Sequence, residues 1–101
     1  WVDSIKELLC DRWDEFISLE ELSRELNVHP VTISKHFSKY FHCTLGEFMR
    51  RIKIEKAMVL LKHSNQTLTE IAFLCGFSDQ SHFSKTFRIT TGFKPNEFRK
   101  L

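Results

Sequence analysis

The sequence predicts an all-α fold in which two helix-turn-helix subdomains, about seven helices in total, are joined by a long central helix. Three observations predict it. Apolar residues recur at helical spacing along almost the whole chain, paired hydroxyl and carboxylate residues mark helix starts, and the sequence matches itself when slid by about 50 residues. No segment alternates apolar and polar residues in the way a half-buried strand would.

Ile5, Leu8, Leu9 and Trp13 form a first stripe, Leu19, Leu22 and Leu26 a second, and Ile33, Phe37 and Phe41 a third. A fourth segment runs from about Thr44 to His63 with two stripes, Leu45, Phe48, Met49 and Ile52, then Ile54, Ala57, Met58 and Leu61. Its apolar face therefore turns midway, as a helix requires when its halves pack against different neighbours. Leu68, Ile71, Ala72 and Cys75 mark a fifth helix, Phe83 and Phe87 a sixth, and Pro95 opens a short seventh. Ser18 with Glu21, Thr44 with Glu47 and Thr67 with Glu70 read as capping boxes, in which hydroxyl and carboxylate satisfy first-turn amides. Pro30 and Pro95 suit the first helical position, where no amide hydrogen is needed. The ten phenylalanines read as core, with Phe93 and Phe98 stapling the last helix.

In the repeat, Ser34 and Lys35 fall on Ser84 and Lys85, Phe37 on Phe87, and Glu47 and Phe48 on Glu97 and Phe98. Upstream the offset becomes 49, pairing Leu19 with Leu68, Leu22 with Ile71 and Ser23 with Ala72. The one-residue difference lies between Asn27 and Ile33, where a turn tolerates it. Within each copy a small residue, Ser23 or Ala72, permits a close helix crossing. Four residues on stands Asn27 or Gly76, a type that accepts a left-handed backbone, and then an apolar Val28 or Phe77. A generic helical hairpin would not require this pattern, and here it occurs twice. The expected boundaries are 1–43 for the first subdomain, 44–63 for the linking helix and 64–101 for the second.

Ile33 and Phe37 facing inward leave Val31, Ser34, Lys35 and Ser38 on the opposite side. Phe83 and Phe87 likewise leave Ser81, Ser84, Lys85 and Arg88 outside. Neither outward face carries an acid. Short hydroxyls mixed with long cations suit a DNA major groove, where Ser serves either base type and Lys reaches guanine acceptors. Gln80 and His82, at the start of the second such helix, bring amide and imidazole groups near the base edges, and Gln80 matches adenine bidentately. His82 is grouped with the base contacts, although alone it fits a phosphate contact or a bystander. Thr32, Ser38, Lys39, Arg88 and Thr67 are the candidate phosphate contacts.

Charge supports this reading. The chain's net charge of +2 conceals three bases and eight acids in residues 1–28 against twelve bases and five acids in residues 29–101. The remainder after residue 28 would attract a polyanion. At 101 residues with 42% apolar content the chain suits one compact domain or two small subdomains. Its longest apolar run, Ile71 to Cys75, is far short of the ~20 residues a membrane span requires. No secretory leader is visible, and a first residue of Trp1 rather than Met suggests a piece of a longer protein. Cys10, Cys43 and Cys75 are odd in number and widely spaced, which suits a reducing cytosol and gives neither a disulfide framework nor a zinc finger. His42, Cys43 and His36 lack a fourth metal ligand, no serine stands in a nucleophile elbow, and no glycine loop could cradle a phosphate. No catalytic residue, metal or cofactor is expected.

The run Ala72-Phe73-Leu74-Cys75-Gly76-Phe77, followed by Ser81, His82, Phe83, Phe87, Arg88, Gly92, Pro95, Phe98 and Arg99, resembles the signature of the AraC/XylS transcription regulators. The resemblance extends from about Ile5 to Arg99. It implies a seven-helix DNA-binding domain whose two recognition helices enter successive major grooves on one face of the duplex. By position it implies base contacts at Val31, Ser34 and Lys35, then at Gln80, Ser81, Ser84 and Lys85. The first unit departs from the commoner pattern, with Asn27 in the usual glycine place and a short apolar Val31 in the reading helix. A central helix of twenty residues spans ~30 Å, on the scale of the ~34 Å between such grooves. The expected role is the output domain of a bacterial transcription regulator, an activator, in the cytoplasm at the nucleoid. Its expected partners are double-stranded promoter DNA and RNA polymerase, with no membrane and with any effector ligand acting through a region outside this chain. The alternative is a helical protein–protein interaction module that does not bind DNA.

Overall fold

The structure is a computed structural model that describes residues 1–101. It contains seven helices and no strand: α1 Val2–Asp11, α2 Leu19–Leu26, α3 Pro30–Phe41, α4 Leu45–His63, α5 Leu68–Leu74, α6 Gln80–Thr91 and α7 Pro95–Lys100. The chain forms two compact units, Trp1–Met49 and Arg50–Leu101, so that the division falls within α4. No helix is long and apolar enough to cross a membrane.

In the first unit α2 packs against both α1 and α3 around buried Ile5, Leu9, Ile17, Leu22, Ile33 and Phe37. Phe37 stacks with Phe41 at 4.5 Å between ring centroids and meets Phe48 edge-on at 5.5 Å. Trp13, expected within the first helical stripe, lies beyond the end of α1. Ile17, which has no place in the helical spacing, is buried in the connection to α2. Arg12 ties that connection to α2, pairing with Glu15 and Glu25 at 2.9 Å each and with Glu21 at 3.6 Å. Its hydrogen bond to Glu15, together with the charges of all three carboxylates, raises the guanidinium pKa above its usual value.

The second unit repeats the plan: α5 packs on α6 and α6 on α7, around Ile54, Ala57, Leu61, Ile71, Ala72, Cys75, Phe77, Phe83 and Phe87. Lys53 on α4 is also fully buried. Burial pushes the Cys75 thiol up to about 11 while the charge of Lys53 opposes the shift, so Cys75 is a neutral thiol at neutral pH and packs as a small apolar residue. Arg99 reaches back from α7 to cap the end of α4. It donates through Nε to Leu61 O at 3.0 Å and through a terminal amine to Gln66 O at 2.6 Å, satisfying carbonyls that the helix and the following turn leave open.

The helix-ending geometry carries the repeat. Asn27 and Gly76 both have positive φ, 53° and 87°. In both units the next amide closes a longer bond, Val28 N–H to Ser23 O at 3.2 Å and Phe77 N–H to Ala72 O at 2.9 Å. That is the bond of a left-handed helix stop. A second equivalent pair ends α3 and α6, His42 at φ 61° and Gly92 at φ 84°, with N–H bonds to Ser38 O and Arg88 O. Asn accepts this backbone more easily than a branched residue does, which is why the first unit needs no glycine at residue 27. Gly76→Val should cost about 1–3 kcal/mol, because a β-branched side chain would be forced to positive φ. Thermal melts overlaying the parent would contradict that geometry.

Two expectations are corrected. The ten phenylalanines are not all core: Phe16, Phe73 and Phe93 are exposed, Phe73 to 78%. Of the two proposed staples only Phe98 packs inward, edge-on against Phe87 at 5.5 Å. The capping boxes are also incomplete. Ser18, Thr44 and Thr67 each accept an N–H three residues on. Glu47 and Glu70, however, accept a hydrogen bond from their own capping hydroxyl, and Glu21 turns to Arg12. The reciprocal carboxylate-to-amide bond is found instead at α7, where Glu97 accepts from the Lys94 amide at 3.0 Å.

Candidate nucleic-acid interface

On α3 the buried Ile33 and Phe37 turn Val31, Ser34, Lys35, Ser38 and Lys39 to solvent, with Thr32 half-buried. Val31 is 65% exposed, a large value for an apolar residue without a protein neighbour to cover it. The helix begins at Pro30, and the His29 ring accepts the Val31 amide through Nδ1 at 3.2 Å. The His36 ring, also on α3, meets Trp1 edge-on at 6.2 Å.

On α6 the same geometry exposes Gln80, Ser81, His82, Lys85 and Arg88, with Ser84 half-buried. Asp79 caps the helix, accepting from the His82 amide at 2.7 Å, where the positive end of the helix dipole offsets its charge. The His82 ring packs edge-on against Phe77 at 5.2 Å. Gln80 accepts a 2.7 Å hydrogen bond from the Thr69 hydroxyl. A groove of about 690 Å³ runs along α6 to the start of α7, lined among others by Ser84, Lys85, Arg88, Lys94 and Asn96. Thr67 is exposed, and its hydroxyl both caps α5 and donates to Glu70.

Every residue expected to touch DNA is thus exposed or half-buried; on α6, Ser81, Ser84, Lys85 and Arg88 share a face, while Gln80 and His82, two residues apart, flank it on opposite sides. Lys94 adds a cation and Asn96 a carboxamide to this groove, which Glu97 also lines; neither Lys94 nor Asn96 was among the expected residues. They lie six and eight residues beyond Arg88, past the end of α6, and the packing of α7 on α6 brings them alongside it. His29 and Asp79 were missed as caps; Asp at a helix start is a readable signal, whereas His is not among the usual capping types. No group of three or more His, Cys, Asp or Glu residues could hold a metal ion.

Two helix-turn-helix units, each with an acid-free polar and cationic second helix turned to solvent, define the class of a tandem helix-turn-helix domain. Residues 22–101 match the family described as a helix-turn-helix domain, and the chain belongs to that family, in its AraC/XylS branch. It is 34% identical over 92 residues to the transcriptional activator RhaS of Escherichia fergusonii, covering 91% of this chain and 33% of that protein. The chain spans a quarter to a third of the length of the curated relatives it matches. Among solved structures it is similar to the C-terminal domain of AraT, a response regulator from Geobacillus stearothermophilus, with TM-score 0.93 and 27% identity over 98% of this chain and 83% of that one. It is also similar to a probable AraC family transcriptional regulator from Rhodopseudomonas palustris, with TM-score 0.86 and 28% identity over 98% and 94% of the two chains.

Proposed function

We propose that this chain binds double-stranded DNA sequence-specifically, reading successive major grooves with α3 and α6, as the output domain of a bacterial transcription activator. One observation carries the reading. The two second helices, offset by 50 residues, each turn a serine–lysine pair outward and contain no Asp or Glu. A surface selected only for solubility would mix both signs, whereas one that meets a polyanion excludes acids. Base contacts fall to Val31, Ser34, Lys35, Gln80, Ser81, His82, Ser84 and Lys85. Phosphate contacts fall to Thr32, Ser38, Lys39, Thr67 and Arg88, with Lys94 added from the groove. Residues 44–63 link the reading subdomains 1–43 and 64–101. RNA polymerase is the further partner, the site of action is the cytoplasm at the nucleoid, and an effector acts through a region outside this chain.

Electrophoresis with duplex DNA at low salt tests the proposal. Retardation of the duplex is expected, with stronger retention of a selected site than of random sequence. Failure to retard any duplex at low salt would return the chain to the class of helical protein-interaction modules.

A further inference from the structure

Thr69 and Gln80 are both exposed, yet they join the first helix of the second unit to the start of its reading helix through a 2.7 Å hydrogen bond. We propose that Thr69 is a positioning residue for base recognition: it holds the Gln80 carboxamide in one orientation, and so sharpens discrimination of the base that Gln80 meets. The proposal rests on the DNA-binding reading above and deepens it.

A glutamine on a surface helix samples many rotamers, and ordering it at an interface opposes binding. An anchor already in place removes that cost before DNA arrives. The chemistry left over is specific. A carboxamide offers two N–H donors and two acceptor lone pairs, and the Thr69 hydroxyl occupies one lone pair. Two donors and one acceptor stay free, which complements the N7 acceptor and N6 donor of adenine in the major groove.

The bond is not a general requirement of the scaffold. In the first unit the corresponding positions are Glu20 and Pro30, which cannot form it, and α2 still packs on α3. In the second unit the turn is already fixed by the Phe77–Phe83 contact at 5.4 Å, by the Asp79 cap and by the left-handed Gly76. The Thr69–Gln80 pair adds nothing that these lack except control of the Gln80 side chain.

Selection of binding sites from randomised duplexes, run on the parent and four variants, tests this. Gln80→Ala should lose about five- to 150-fold of preference at one base position. Thr69→Val should lose about two- to tenfold at that same position and nothing elsewhere. Thr69→Ser, which keeps the hydroxyl, should match the parent, and Thr69→Val should have no further effect once Gln80 is Ala. Equal weakening by Thr69→Val at all positions would make Thr69 a merely structural residue and overturn the proposal. A parent-like profile for Thr69→Val or for Gln80→Ala would overturn it as well, leaving the DNA-binding reading intact. A parent that selects no sequence at all would defeat both.

Discussion

Raising monovalent salt from 50 to 200 mM should weaken duplex binding by about 10³- to 10⁴-fold, a log–log slope of roughly −5 to −7. Residues 29–101 carry twelve bases. Lys53 is buried and Arg99 is half-buried and spent on backbone carbonyls. Ten exposed cations remain, of which about 6–8 can neutralise phosphates while the rest face away or meet bases. Each phosphate neutralised releases counterion, and the slope counts those releases. Binding titrations across a salt series measure it directly. A slope near zero would mean that the cationic faces of α3 and α6 do not meet a polyanion.

Phe87→Ala should destabilise the second unit by about 3–5 kcal/mol, the cost of emptying a large, closely surrounded apolar site. Phe87 is fully buried and packs on Phe83 at 5.8 Å and Phe98 at 5.5 Å. Removing it also withdraws support from the buried face of α6, so DNA binding should fall with stability. Phe73→Ala provides the contrast, with a change within about 0.5 kcal/mol expected of an exposed position. Denaturant or thermal unfolding of the two variants checks both figures. Equal losses for the pair would show that the buried face of α5 and α6 is wrongly placed.

That contrast also shows what the sequence conveys and where it stops. Helical spacing alone puts Phe73 about 150° from the centre of the Leu68, Ile71, Ala72 and Cys75 stripe. Periodicity therefore predicts its exposure, whereas its residue type alone points to the core. The repeat was legible because Asn27 and Gly76 announce a left-handed stop by residue type, as Ser18, Thr44 and Thr67 announce helix starts. His42 performs the same stop as Gly92, but a histidine carries no such announcement. His29 as a cap was hidden for the same reason. The outward faces of α3 and α6 followed from the burial of Ile33, Phe37, Phe83 and Phe87, which spacing gave correctly. The Thr69–Gln80 bond and the groove shared by Lys85, Arg88, Lys94 and Asn96 were not legible. They depend on how helices cross, and no local pattern in the chain records that.

The central claim is that each unit reads its own major groove, and site selection from randomised duplex DNA tests it most directly. Grooves on one face recur once per helical turn, so the recovered sites should hold two conserved clusters about 10–11 base pairs apart. Lys35→Ala should relax one cluster and Lys85→Ala the other, each by about 1–3 kcal/mol at the bases touched. Of the two, Lys85 should show the larger loss, because Gln80, Ser81 and Ser84 surround it with polar groups while Val31 shares the Lys35 face. Two clusters in that spacing, relaxed separately by the two variants, are the predicted result; a single cluster, or two on opposite faces of the duplex, would contradict it.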